Sequence, residues 1–289
     1  MINKFVYRAI ILSGVAFYIS ADAQTSAGDS FRFPRNKKGM FDFYWGYNRE
    51  WFTRSNIHFN GPDYDFTVYK LKAHDRQSKF GWVYFNPFTL SIPQYNYRLG
   101  YFISNRLQIS GGMDHMKYVV DQDQKVRISG VIDSTASTVY AGSYLNDSIL
   151  LKADLLQFEH TNGFNFVSLD FEWLQPLAFL WKKKLLLNWN LGGGGIWMVT
   201  KTDVRVMGDG LDNDFHVAGF SLAGKTGPRL ECKNKFFLSA EFKSGFASLP
   251  HVLIKNSAPE IGDHNLIFFE YYIVAGLNFN LLKHFKKPN

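Results

Sequence analysis

The sequence predicts an all-β protein: one antiparallel transmembrane β-barrel of eight to ten strands, an even number, with long outer loops. Three observations predict it. Apolar and polar residues alternate with the strand period of two in segment after segment. Aromatic residues make up 17% of the 289 residues, with 28 Phe and 15 Tyr, while mean hydropathy is only −0.17. Beyond the amino terminus no run approaches the roughly 18 uninterrupted apolar residues of a membrane-crossing helix; Leu266 to Phe279 comes nearest and is broken by Glu270 and Asn278. Alternation with an aromatic surplus is what a barrel shows when one face of each strand meets lipid and the other a lumen.

The chain opens with Lys4 and Arg8, an apolar stretch from Ala9 to Ile19, and the small-x-small sequence Ala21-Asp22-Ala23. This layout predicts a secretory signal peptide over residues 1–23 and a mature chain from Gln24. Residues 24–39 then read as a periplasmic segment, 40–281 as the barrel and 282–289 as a periplasmic tail. Cys232 is the only cysteine, so no disulfide staples the fold. No linker or repeat divides it, and one domain is expected.

The first strand, Met40 to Asn48, sets Phe41, Phe43, Trp45 and Tyr47 against Asp42, Tyr44, Gly46 and Asn48. In Gln94 to Phe102, Tyr95, Tyr97, Leu99 and Tyr101 alternate with Asn96, Arg98 and Gly100. Leu107, Ile109 and Met113 alternate with Gln108, Ser110, Gly112 and Asp114, and Val167, Leu169, Phe171 and Trp173 with Ser168, Asp170 and Glu172. Leu185, Leu187, Trp189 and Leu191 oppose Asn188 and Asn190; Phe236, Leu238, Ala240 and Phe242 oppose Ser239, Glu241 and Lys243. The last strand faces Phe269, Tyr271, Ile273, Ala275, Leu277, Phe279 and Leu281 one way and Glu270, Tyr272, Val274, Gly276, Asn278 and Asn280 the other. With His216 to Arg229 the count is eight, and residues 49–93 form a long outer excursion. If Tyr64 to Ala73 and Lys79 to Phe85 also cross, the count is ten.

Charge is distributed along the same division. The turns expected on the inner side hold Arg35, Lys37, Lys38, Arg106, Lys182, Lys183, Lys184, Lys233, Lys235, Lys283, Lys286 and Lys287. The stretches expected outside, 121–160 and 201–214, lean acidic. The net charge of +7 is therefore a basic rim facing anionic headgroups, and no nucleic-acid partner is expected.

Several motifs, GYNREWFTRSNIHFNGPDYDF (46–66), HDR (74–76), IPQYNYRLGYF (92–102), GGMDHMKYV (111–119), FEHTNGFNFV (158–167) and DNDFHVAGF (212–220), resemble those of a family of outer-membrane β-barrel proteins of the Bacteroidetes type. The resemblance covers most of the mature chain. It implies the fold and the cell outer membrane as location, and carries no assigned chemistry. Gly276 to Leu281 also resembles the carboxy-terminal signal read by the barrel assembly machinery, departing from it at Val274 and in the tail beyond.

The candidate site is the lumen. Gln94, Asn96, Arg98, Asp114, Asp170, Glu172, Asn188, Glu241 and Lys243 are expected to form a mutually satisfied polar network. For catalysis the only candidates are His160, Ser168 and Glu172, in a stretch that loosely resembles the outer-membrane lipid A deacylases. Those enzymes carry His and Ser two apart on one strand face, whereas position 162 here is Asn and the adjacent Thr161 points to the opposite face. Satisfied loop and lumen groups are the simpler reading of them. Asp209 to Asp214 lacks the glycine and bidentate Glu of a calcium loop. Gly192 to Gly195 is followed by no P-loop lysine, and His74, His115 and His216 have no ligand spacing, so no cofactor and no metal are expected. The expected partners are outer-membrane lipids and lipopolysaccharide, the assembly machinery during insertion, and a protein at the outer loops. A structural or surface-interaction barrel leads, ahead of a lipid-modifying enzyme and a narrow solute channel, because at about eight strands side chains fill the interior.

Overall fold

The structure, a computed structural model, describes residues 36–86, 88–89, 93–181, 184–212, 214–254 and 260–281. The expected signal peptide, the start of the segment after it and the tail 282–289 lie outside the described residues. Eight strands form the wall: β1 (Phe41–Phe52), β5 (Tyr95–Phe102), β6 (Leu107–Val120), β9 (Leu156–Leu180), β10 (Leu185–Val206), β12 (His216–Cys232), β13 (Phe236–Leu253) and β14 (Ile261–Phe279). Six more lie off it: β2 (Ser55–Gly61), β3 (Tyr64–Leu71), β4 (Ala73–His74), β7 (Lys125–Ile132), β8 (Gly142–Leu150) and β11 (Asp209–Asp212). The wall strands pair antiparallel in the order β1-β5-β6-β9-β10-β12-β13-β14, and β14 returns to β1 from Phe41↔Phe279 to Phe52↔Phe268, closing the ring. The barrel is thus eight-stranded. Of the two extra crossings that would make ten, Tyr64–Leu71 is a strand outside the ring, and Lys79 to Phe85 holds only a 3₁₀ turn at Trp82–Tyr84.

Period two carries through to burial. On β14 Glu270, Tyr272 and Val274 are buried while Tyr271, Ile273 and Leu277 are exposed. The same parity exposes Leu99 and Tyr101 and buries Asn96 and Arg98. Exposed apolar residues of successive strands line up into a belt around the outside. Phe41 stacks on Phe279 and touches Tyr101 at its lower edge; Trp51 stacks on Phe269 at its upper edge. An isolated sheet in water would not leave such a surface open; a lipid-facing one requires it, with aromatic rings at both rims. Leu238→Arg, aimed into this belt, is expected to cost about 2–4 kcal/mol near the bilayer midplane, read by unfolding in lipid vesicles. An unchanged unfolding curve would mean the belt does not face lipid.

At one end β5 joins β6 across Ile103 to Arg106 and β12 joins β13 across Lys233 to Lys235, both in short turns. Lys233 and Asn234 both take positive φ, 50° and 58°, at the centre of a tight turn that the Lys235 N–H closes onto the Cys232 carbonyl at 3.0 Å. At the other end the strands outrun the belt and build a head. β2 extends the sheet from β14, followed by β3, β7 and β8, and β11 folds back on β10. The outer excursion 49–93 and the outer stretch 121–160 thus carry strands of their own. Of these, β2 and β3 alternate in burial like wall strands, whereas β8 is exposed over most of its length.

The head also changes the interior. Under it lies an apolar core of Ile57, Phe59, Phe66, Met116, Tyr118, Phe158, Phe164, Phe166, Leu249 and Phe268, with no side chain more than 2% exposed. The lumen is therefore not wet throughout: its upper part packs like a soluble domain and only the lower part is polar. Lys37 departs from the expected basic rim as well, being turned into the mouth, where its ammonium contacts Glu231 and lies 4.9 Å from the Phe102 ring centre.

Candidate functional site

Side chains at inward parity on seven wall strands meet as ion pairs in the lower lumen. Each of four cations bridges two carboxylates there. Arg98 on β5 makes a forked contact with Asp114 on β6 at 3.0 and 2.8 Å and reaches Asp170 on β9 at 3.1 Å. Lys225 on β12 lies 3.3 Å from the same Asp170 and 2.9 Å from Glu172. Lys243 on β13 contacts Asp114 and stands 4.0 Å from Glu270. Arg229 on β12 reaches Asp42 at 2.7 Å and Glu231 at 2.9 Å, with its guanidinium 3.5 Å from the Phe237 ring centre.

Neutral groups join these pairs into a mesh. The amide of Asn190 donates to Glu172 at 2.8 Å and to Glu241 at 3.1 Å, and Glu241 accepts from Ser239 at 2.8 Å and from the Tyr272 hydroxyl at 2.7 Å. Ser110 donates to Glu172, and Arg98 to Ser168. Asn48 donates to Glu270 at 3.0 Å. At the top, Gln94 donates to Glu50 and to Asp75, which arrives from the chain after β4. In a space this enclosed a charge is tolerated only with its partner in place, so the mesh fixes register and fills the cross-section together.

Of the nine lumen residues expected from sequence, Arg98, Asp114, Asp170, Glu172, Glu241 and Lys243 belong to this mesh, and Gln94 to the polar group above it. Asn96 and Asn188 also point inward and are buried, but the Asn96 amide makes no protein hydrogen bond. Sequence reasoning did not single out Lys225, Arg229 and Glu231. Their period of two is present, but Gly224, Thr226 and Pro228 occupy the lipid side of β12, so the alternation lacks apolar contrast. The glycines of β10 were set aside as well, although Gly192 and Gly194 serve this site. A Cβ on Gly194 would strike the Leu169 carbonyl and lie 2.6 Å from the Asp170 carboxylate, and one on Gly192 would lie 3.1 Å from the Lys225 chain. Their missing side chains leave the volume that the ion pairs occupy.

The three catalytic candidates are not brought together. His160 and Ser168 are eight residues apart along one strand, about 27 Å at strand rise, and Glu172 lies four further on. His160 sits in the apolar core of the head, stacked on Phe164 at 4.7 Å and hydrogen-bonded to Thr202 at 2.7 Å. Its ring stacks at 6.2 Å with that of His264, whose Nε2 shares a 3.0 Å hydrogen bond with the Ser55 hydroxyl. Both histidines are 0% exposed. Burial pushes the His264 imidazole down to about 3, and burial with His264 alongside pushes His160 well below its ordinary value. These are neutral core groups. Nothing about residue 160 in sequence separates this from a lumen position, because the division into apolar upper core and polar lower lumen arises only when the head is built.

No family model and no curated protein matches the chain. Among solved structures it is similar to the outer-membrane protein OprG of Pseudomonas aeruginosa, at 11% identity and a TM-score of 0.39, over 84% of this chain and 97% of that one. It is also similar to Neisserial surface protein A, at 9% identity and a TM-score of 0.33, over 83% and 97%. Ail of Yersinia pestis follows at 11% identity and a TM-score of 0.29, over 84% and 99%. All three are outer-membrane proteins. At these scores they identify neither a family nor an activity, and the architecture rests on the chain's own ring closure and belt.

Proposed function

We propose that the protein is an integral barrel of the cell outer membrane with a structural or surface-interaction role carried by its head. The observation behind this is the interior: bridged ion pairs occupy the lumen at the level of the belt, and the head packs an apolar core above them. A solute would have to break several buried ion pairs and then cross that core, which disfavours the channel. The separation of His160, Ser168 and Glu172 disfavours the lipid-modifying enzyme.

The same reading places the short turns and their lysines in the periplasm, after export directed by residues 1–23, and leaves 282–289 as a periplasmic tail. The belt contacts membrane lipids and lipopolysaccharide, and Gly276 to Leu281 serves the assembly machinery. The head offers its outer strand, where Leu145 is 88% exposed, to a protein partner. We also assign the chain, on its motif runs, to the Bacteroidetes-type barrel family.

Two readouts test the reading. Planar bilayers loaded with the purified protein are expected to show no unitary conductance, and an epitope inserted near Asn146 is expected to be detected and protease-cut on intact cells. One beside Asn234 should need permeabilised cells. Regular conductance steps, or the reverse accessibility, would overturn it.

A further inference from the structure

On its wall side β5 is shorter than its neighbours. The β1–β5 ladder stops at Tyr47↔Tyr95, and above it β4 takes the place beside β6 through Ala73↔Val120 and His74↔Val119. The chain after β4 stays bonded to the upper part of β1: the Glu50 N–H donates to Asp75 at 3.3 Å, and Gln77 donates to the Asn48 carbonyl at 3.2 Å. Its next residues reach the outside of the wall. There the outward-facing Tyr47 meets Tyr84 edge to face at 4.9 Å and donates its hydroxyl proton to the Tyr84 carbonyl.

The height of that contact can be set from strand geometry. Phe41 marks the lower edge of the belt, and Tyr47 is six residues above it, about 15 Å along the barrel axis for a strand tilted by about 40°. Trp51, at the upper edge, stands about 26 Å above Phe41 on the same basis, close to the roughly 25 Å height of a lipid-facing band. Tyr84 therefore sits below the upper edge of the belt, outside the wall. Around it Phe80, Trp82, Phe85 and Phe88 are 79%, 75%, 60% and 94% exposed. The first three touch, Phe80 with Phe85 at 5.9 Å and Trp82 with Phe85 at 6.4 Å, instead of burying themselves against the head.

We propose that residues 78–86, with Phe88 and Thr89, form a lateral foot embedded in the outer leaflet, whose exposed aromatic rings are surrounded by lipid. It rests on the outer-membrane reading above. Hydrocarbon gives nothing to an unpaired peptide group, so non-strand backbone at this depth must satisfy itself. The foot does so. The Ser78 carbonyl accepts from the Tyr84 hydroxyl, Gly81 from the Tyr84 N–H, Trp82 from Phe85 and Asn86, Val83 from the Thr89 hydroxyl, Tyr84 from Tyr47 and Asn86 from the Thr89 N–H. Lipid is the occupant favoured over a protein partner because the aromatic surface continues the belt without a break, from Trp45 and Tyr95, stacked at 4.9 Å, through Tyr47 to Tyr84 and Phe80.

The test uses the full chain carrying Cys232→Ser, with a single cysteine at Phe85 or Phe88 labelled by an environment-sensitive fluorophore. The protein is reconstituted in phosphatidylcholine vesicles containing doxyl-labelled lipid, and iodide serves as the aqueous quencher. Leu238→Cys reports the belt and Leu145→Cys the head. Lipid quenching at Phe85 and Phe88 comparable to that at Leu238, with iodide quenching several-fold weaker than at Leu145, is the expected result. If both foot positions behave like Leu145 while Leu238 is quenched by lipid, the foot is in water and the proposal fails, with the membrane reading intact. Should Leu238 itself escape the lipid quencher, the membrane reading falls first and takes the foot with it.

Discussion

Acidifying the protein from about pH 7.5 to about pH 4.5 is expected to destabilise the head by up to about 5 kcal/mol while the lower barrel stays closed. The cause is the buried pair His160 and His264, which lie above the membrane-spanning parts of their strands. In the unfolded head each imidazole takes up a proton near its ordinary value of about 6.5, whereas the folded head holds both neutral to far lower pH. Between those limits the unfolded form binds more protons, so stability is complete above about pH 6.5 and falls as the pH drops, by about 1.4 kcal/mol per unit for each histidine. Amide exchange or protease cutting in β2 and β3 as a function of pH reads it directly. His160→Gln combined with His264→Gln should flatten the dependence over that window, since Gln cannot charge. A head equally resistant at both pH values in the unaltered protein would show that the pair is not held neutral.

Arg98→Met should cost about 3 kcal/mol of barrel stability, the lower end of the range for breaking a buried ion pair. It lies at that end because the carboxylates left behind are not wholly abandoned: Asp114 keeps Lys243, and Asp170 keeps Lys225. The two carboxylates, drawn together by one guanidinium, would still repel across the space it vacated. Arg98→Met with Asp170→Leu should recover part of the loss, because an apolar pair in a closed space needs no charge compensation. Asn96→Ala, at a neighbouring inward position outside the mesh, is expected to cost at most about 1 kcal/mol. Urea unfolding in vesicles orders the three. Equal losses for Arg98→Met and Asn96→Ala would mean that the ion mesh contributes nothing beyond filling space.

The sequence alone determined the secondary-structure type, the facing of each wall strand and the short-turn end. Side-chain direction has a period of two whatever the neighbours, and a wall with lipid on one side writes that period into residue type. Phe41 to Asn48, Gln94 to Phe102 and Leu266 to Phe279 could be faced one residue at a time for this reason. It was also enough to nominate Arg98, Asp114, Asp170 and Lys243 as inward, since a charge on the other face would meet lipid.

What only the tertiary structure decided is which strands close the ring, where the interior turns from polar to apolar, and which charges meet. Strand β3 alternates as well as any wall strand, yet it pairs with β2 and β7 rather than crossing the membrane. Its apolar face is buried in the head, and local alternation is the same whether that face meets a core or lipid. His160 and Ser168 share one strand and one parity and still lie in different environments, because the head covers one and the ion mesh surrounds the other. Lys225 finds Asp170 and Glu172 only because β9, β10 and β12 are neighbours in a closed ring and two glycines between them leave room. Pairing partners of this kind are set by ring order and register, which depend on the whole wall at once and leave no trace in any single segment.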